Sequence, residues 1–174
     1  MADSRDVLLV DGYNMIGDWP ELSKLAESGG LEEARNRLLF RLADYQAFSG
    51  RRVIVVFDAY LVPGLGKSFT QSKIHVHFTK EKETADECIE RLVRELSMRR
   101  RQIYVATSDM VEQHVIFGQG ALRVSARELL IEVEQNEKEL QQRLAEDQAR
   151  STRNTIGGKL SPDVLKQFER WRRG

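Results

Sequence analysis

One cysteine, Cys88, is all the sulfur-bridging capacity in 174 residues. A lone thiol closes no internal disulfide, so packing alone must hold the fold, and the composition suits a reducing compartment. Nor is there an excess of charge: 27 basic residues balance 27 acidic ones. That excludes a protein that coats free nucleic acid by global charge alone. It does not exclude a nuclease, whose acidic site offsets basic patches elsewhere. No apolar run is long enough to span a membrane, and the start of the chain lacks the basic and apolar regions of a signal peptide. A cytoplasmic location is therefore expected. No internal repeat is evident. No glycine-rich turn follows a strand, which argues against dinucleotide binding. What is present is a 41% hydrophobic fraction, enough for a real core, in a length that suits one domain with an appendage.

Acidic residues recur where apolar runs end. Asp11 follows Val7-Leu8-Leu9-Val10, and Asp58 follows Val53-Ile54-Val55-Val56-Phe57. Asp86 lies shortly after Ile74, Val76 and Phe78, and Asp109 closes Ala106-Thr107-Ser108-Asp109 after Ile103-Tyr104-Val105. Short β-branched runs separated by helical patterns read as buried parallel strands. Ligands of open α/β sheets bind beyond the carboxyl ends of such strands. Four carboxylates from four distant segments can thus converge on one rim. Gathered carboxylates repel unless a cation joins them, and Mg²⁺ or Mn²⁺ prefers oxygen ligands of this kind.

The periodicity predicts strands over about 6–10, 52–57, 74–78 and 102–106, and helices over 31–48 and from Thr84 to about Arg99. Gly50 closes the first of these helices. Thr84 with Glu87 forms a capping box that opens the second, and Ser125 with Glu128 forms another. The segment 61–72, with Pro63, Gly64 and Gly66, reads as a loop. Ser108 is expected to cap a short helix through Ile116, and the long helix after Ser125 to run toward Arg150. Gly157-Gly158 should break the pattern within 152–159 before a last helix starts at Ser161-Pro162. The order βαββαβαα makes the core an α/β sandwich with a mainly parallel sheet. Residues 1–135 form this domain and 136–174 a charged helical extension.

Val10-Asp11-Gly12-Tyr13-Asn14, taken with Val56-Phe57-Asp58-Ala59, Glu83-Thr84-Ala85-Asp86 and Ala106-Thr107-Ser108-Asp109, resembles the NYN branch of PIN-like nucleases. Asp11 through Ile16, Phe117-Gly118-Gln119-Gly120-Ala121 and Trp171-Arg172-Arg173-Gly174 resemble its YacP-like subgroup, which includes a ribosome-associated messenger-RNA endonuclease. The resemblance covers nearly the whole chain and is specific in the combination of motifs. It implies a PIN-like three-layer sandwich, a metal-dependent endoribonuclease, and Asp11, Asp86 and Asp109 as catalytic, metal-binding acids. Messenger RNA and the ribosome are the partners it implies.

Each residue also has a plainer role open to it. Asp11 could simply end its strand in an Asx-turn, although Asn14 three residues on could orient a water or a ligand. Asp86 could serve only the helix dipole, as Glu87 does. Asp58 could take a second metal or steady Asp11, and Glu83 and Glu112 are weaker supports. His75, His77 and His114 lack the further Cys or His that a zinc site needs, and a half-exposed strand face explains the first two. Cys88, beside Ile89 and Leu92, reads as core. Gly118-Gln119-Gly120 reads as turn geometry. Arg123 and Arg127 are the first choice for RNA backbone contacts, with Lys67 and Lys73 on a guiding loop. Rival readings are a non-catalytic RNA or ribosome adaptor on the same scaffold, and a receiver-like phosphoacceptor domain. The latter wants paired acids at the first strand and a late lysine, neither of which is evident.

Overall fold

The structure is a computed structural model that describes residues 5–59, 68–71, 73–80, 82–97, 101–108 and 120–158. The chain divides into two compact units, Met1–Asn136 and Glu137–Gly174. In the first, strand β1 (Val7–Asp11) leads directly into helix α1 (Gly12–Asp18), then α2 (Pro20–Gly29) and α3 (Leu31–Ser49). β2 (Arg52–Phe57), β3 (Ser68–Gln71) and β4 (Ile74–Phe78) follow, then α4 (Ala85–Leu96), β5 (Ile103–Ala106) and β6 (Leu122–Val124). Helix α5 (Ala126–Gly158) starts in the first unit and continues into the second.

The six strands form one sheet in the order β3-β4-β2-β1-β5-β6. Five of them run parallel, and β3 alone pairs antiparallel, with β4. β1 is central, and its four residues Val7–Val10 are fully buried, as a strand covered on both faces must be. Alternation sends Leu8 and Val10 to one face and Val7 and Leu9 to the other. On the first face they meet α3 through Leu38, Leu39 and Leu42, and the start of α5 through Leu129 and Val133. On the second they meet α4 through Cys88, Ile89, Leu92 and Val93. This is a three-layer α/β sandwich.

Local chemistry explains the boundaries. α3 presents Ala34, Leu38, Leu42 and Tyr45 at helical spacing, and Gly50 ends it in the left-handed region at φ 76°. The hydroxyl half of both predicted capping boxes forms: Glu87 N donates to Thr84 Oγ1 at 3.2 Å, and Glu128 N to Ser125 Oγ at 3.1 Å. Two expectations are corrected, the loop over 61–72 and the break within 152–159, and α1, α2 and β6 were not foreseen. The stretch 12–29 is two short helices that weak periodicity concealed. β3 lies within the supposed loop, and β6 is a strand of three residues, too short to read from alternation. α5 continues through Gly158, so no break falls within 152–158. The helices proposed after Ser108 and Ser161 lie outside the described residues. Among the described residues no helix is long and apolar enough to cross a membrane.

Candidate acidic cleft

Parallel register brings the carboxyl ends of four strands to one rim. Asp11 stands opposite Val56, Val10 opposite Ala106, and Phe57 opposite Phe78. Beyond these ends opens a cleft of about 540 Å³ lined by Asp11, Tyr13, Asn14, Asp58, Ala85 and Asp86, among others. Three of the four aspartates singled out in the sequence therefore share a cavity. The fourth, Asp109, lies outside the described residues, as do Lys67, Glu112 and His114. Among the described residues no group of three or more acids, histidines or cysteines is placed to hold a metal ion.

Each acid has a structural holder. Asp11 ends β1 and caps α1, where its Oδ1 accepts from Asn14 N at 3.4 Å. The turn and the cleft thus use the same carboxylate, so the two readings of Asp11 coexist. Asp58 follows β2 in a turn pinned by fully buried Thr79, whose Oγ1 accepts from Ala59 N at 2.9 Å and whose N–H donates to Phe57 O at 3.0 Å. Asp86 sits in the first turn of α4, beyond the Thr84 cap, where it serves the helix terminus and faces the cleft. Gly12 is dictated by packing: a Cβ there would lie 2.2 Å from Phe57 Cε1.

Asn14 does something not foreseen. Its Oδ1 accepts the Ser108 backbone N–H at 2.8 Å, with Ser108 Oγ 2.5 Å away. Ser108 Oγ also lies 2.6 Å from Asp18 Oδ2. A serine hydroxyl has a single proton, and the charged carboxylate is the stronger acceptor. Asn14 thus clamps the segment after β5 to α1, and Ser108 links both to Asp18. Any capping by Ser108 concerns residues beyond the described ones.

Tyr13 and Arg35 escaped sequence reasoning. Tyr13 lines the cleft, its ring tilted against Phe57 at 5.0 Å, and its Oη accepts from Arg35 Nη1 at 3.1 Å. Burial raises the Tyr13 pKa above the ordinary value, against the opposing pull of Arg35, so the phenol stays protonated at neutral pH. A tyrosine two residues after a strand gives no signal by itself that a distant arginine will meet it.

Other candidates fall elsewhere. Glu83 takes two hydrogen bonds from Arg91, at 3.2 Å each, and does not line the cleft. Burial works to raise its pKa, but the Arg91 contacts hold it below the usual carboxylate value. Lys73 sits at the amino end of β4, hence at the opposite end of the sheet from the acids. Its carbonyl accepts from Gln46 Nε2 at 2.8 Å. It is poorly placed to hold RNA at the cleft. Arg123 lies on β6, and Arg127 opens α5 on the rim side. Cys88 is buried, and burial pushes its thiol up to about 11, so it is an inert core residue.

His75 and His77 face each other with Nε2 atoms 2.9 Å apart, so one ring must donate and the other accept. Burial lowers both pKa values, and for His77 the neighbouring His75 and Arg91 add to the effect. A folded-state pKa below the unfolded value means that stability is complete above about pH 6.5 and is lost as pH falls below it. The melting temperature should therefore drop between about pH 7 and pH 5. The double variant His75→Asn with His77→Asn should flatten that slope. An unchanged slope in differential scanning fluorimetry would remove the pair as its cause.

A mainly parallel sheet between helical layers, with aspartates gathered beyond the strand ends, is the architecture of PIN-like α/β domains. The YacP-like NYN domain family matches residues 8–173, and the chain belongs to that family. It is 54% identical over 169 residues to YacP of Bacillus subtilis (strain 168), covering 97% of this chain and 98% of the relative. The crystal structure of Rae1 (YacP) from Bacillus subtilis matches with a TM-score of 0.76 and 54% identity, covering 97% of this chain and 95% of that one. A mutant form of the same protein matches with a TM-score of 0.74 and 52% identity, over 83% and 84% of the two chains. The family supports a nuclease-like, RNA-related role.

Proposed function

We propose that the domain is a divalent-metal-dependent endoribonuclease that cuts messenger RNA on the translating ribosome. The observation that carries this reading is the shared cleft of Asp11, Asp58 and Asp86. Its donors are all oxygens, the set that suits Mg²⁺ or Mn²⁺, whose shells are completed by water and substrate phosphate. Asp11 and Asp86, with Asp109, are the residues proposed to hold the cation, and Asp58 is its support. When bound, the cation supplies charge against the phosphate oxygens and lowers the pKa of the attacking water. The protein's own work is positional. Thr79 fixes the Asp58 turn, Asn14 fixes the segment that leads to Asp109, and Tyr13 with Arg35 walls one side. Among the described residues no histidine lines the cleft to serve as general base, which favours a water nucleophile over attack by the RNA's own 2′-hydroxyl.

The ribosome enters through charge. A chain with no net charge has no global field to collect free RNA. Docking through local cations such as Arg123 and Arg127 would instead raise the effective concentration of messenger at the rim. Cleavage should be abolished by EDTA, restored by Mg²⁺ or Mn²⁺, and leave 5′-phosphate and 3′-hydroxyl ends. It should be faster on a translated messenger than on an untranslated one, and Arg123→Glu with Arg127→Glu should cost cosedimentation with ribosomes. Cyclic phosphate ends formed in EDTA would overturn the mechanism. Equal cleavage of both messengers without cosedimentation would remove the ribosome.

A further inference from the structure

A second cavity of about 430 Å³ lies on the same sheet rim, within the size range of sites that enclose small organic ligands. Trp19, Pro20, Ala126 and Leu130 give it apolar walls, and Asp18 and Arg127 give it one charge of each sign. Trp19 is fixed there, because its indole N–H donates to Ala126 O at 2.8 Å. Asp18 is fixed too, because its Oδ2 accepts from Ser108 Oγ at 2.6 Å. Ser108 also lines this cavity, and it bonds Asn14, which lines the acidic cleft. The two cavities are therefore neighbours joined through one hydrogen-bonded pair of residues.

We propose that this cavity is a nucleobase subsite that selects guanine next to the scissile phosphate. The inference rests on the RNA-cleaving reading above and names what that site recognises. The accessible apolar surface of Pro20 and Leu130, backed by buried Trp19 and Ala126, accepts the face of a base, and the Arg127 guanidinium answers the phosphate of the same nucleotide. Asp18 sets the choice of base. A carboxylate only accepts hydrogen bonds. Guanine offers two neighbouring N–H donors, the ring imino and the exocyclic amino group. Uracil flanks its single N–H with two carbonyl oxygens, which a carboxylate repels. Adenine and cytosine set their amino group beside a ring acceptor, so each offers the carboxylate half of what guanine does.

The full-length protein in EDTA, titrated with 5′-GMP, 5′-AMP, 5′-CMP and 5′-UMP, tests this while the Trp19 indole N–H resonance is followed. GMP should shift that resonance and bind at least about tenfold more tightly than UMP. Asp18→Asn should erase most of the preference. Arg127→Ala should weaken all four nucleotides by a similar factor, about tenfold at low salt. Both side chains are on the surface, and unchanged melting curves would establish that the variants fold. Equal affinity for the four nucleotides, or a guanine preference that Asp18→Asn leaves intact, would overturn the proposal. No cation and no cleavage enter this titration, so it succeeds or fails independently of the endonuclease reading.

Discussion

Asp11→Asn should eliminate RNA cleavage and leave the fold standing. The two halves of this expectation rest on different properties of one side chain. Asp11 caps α1, and asparagine caps helices about as well as aspartate, so the Asn14 N–H keeps an acceptor. What the substitution removes is the negative charge facing Asp58 and Asp86 across the cleft. Changing a residue that merely supports a metal ligand costs ~10–100-fold in affinity or activity, so losing a ligand itself should exceed about 100-fold. Circular dichroism and melting temperature should match the parent within error while cleavage disappears. Asp11→Ala would confuse the issue, because loss of the cap costs about 1 kcal/mol by itself. A purified Asp11→Asn protein that cuts RNA at the parental rate would mean that the cleft does not carry the chemistry.

Gly12→Ala should be the most disruptive single-methyl addition in the site. The new Cβ would lie 2.2 Å from Phe57 Cε1 and 2.5 Å from Cδ1. Phe57 is fully buried and has nowhere cheap to go, since Tyr13 leans on it at 5.0 Å and Phe78 stacks at 5.6 Å. Overpacking of this kind costs about 1–3 kcal/mol. For a domain of this size that lowers the melting temperature by roughly 2–12 °C. Phe57 immediately precedes Asp58, so the displacement also reaches the cleft, and a misplacement of about 1 Å can cost ~100-fold in rate. Adding Phe57→Leu to Gly12→Ala should return part of the lost stability by restoring room. A Gly12→Ala protein with parental melting temperature and full cleavage would show that the ring relaxes freely, contrary to its burial.

The legible parts of the fold were those whose side chains announce two environments at once. Ile74–Phe78 alternates apolar with histidine and is a strand with those bounds, while Thr84 and Glu87 write the start of α4 in the cap itself. The illegible parts lack such contrast. α1 is short and begins at a glycine whose role is steric, and only the core residue Trp19 separates it from α2. β3 and β6 are too short for a period to appear. α5 overrides its terminal Gly157-Gly158 pair. Within the site, the positions of Asp11, Asp58 and Asp86 at strand and helix ends were readable because register in a parallel sheet is nearly dictated by topology. The partners were not: nothing local pairs Asn14 with Ser108, Tyr13 with Arg35, or Glu83 with Arg91, because each depends on elements that meet only in three dimensions.

The placement of β1 at the centre of the sheet has a consequence for how the molecule comes into being. Its partners arrive late: β1 pairs with β2 across Val7↔Arg52 and with β5 across Val7↔Ile103. At roughly 5–20 residues per second, a growing chain waits several seconds between making the first strand and making its last neighbour. Through that interval one edge of the strand Val7–Val10 stays open, and parallel pairings of this range form slowly. The segment clamped by Asn14 and the carbonyl that receives the Trp19 indole are made later still, at Ser108 and Ala126. Assembly of the rim is therefore a late event in biosynthesis, so an incomplete chain has the aspartates without the cleft.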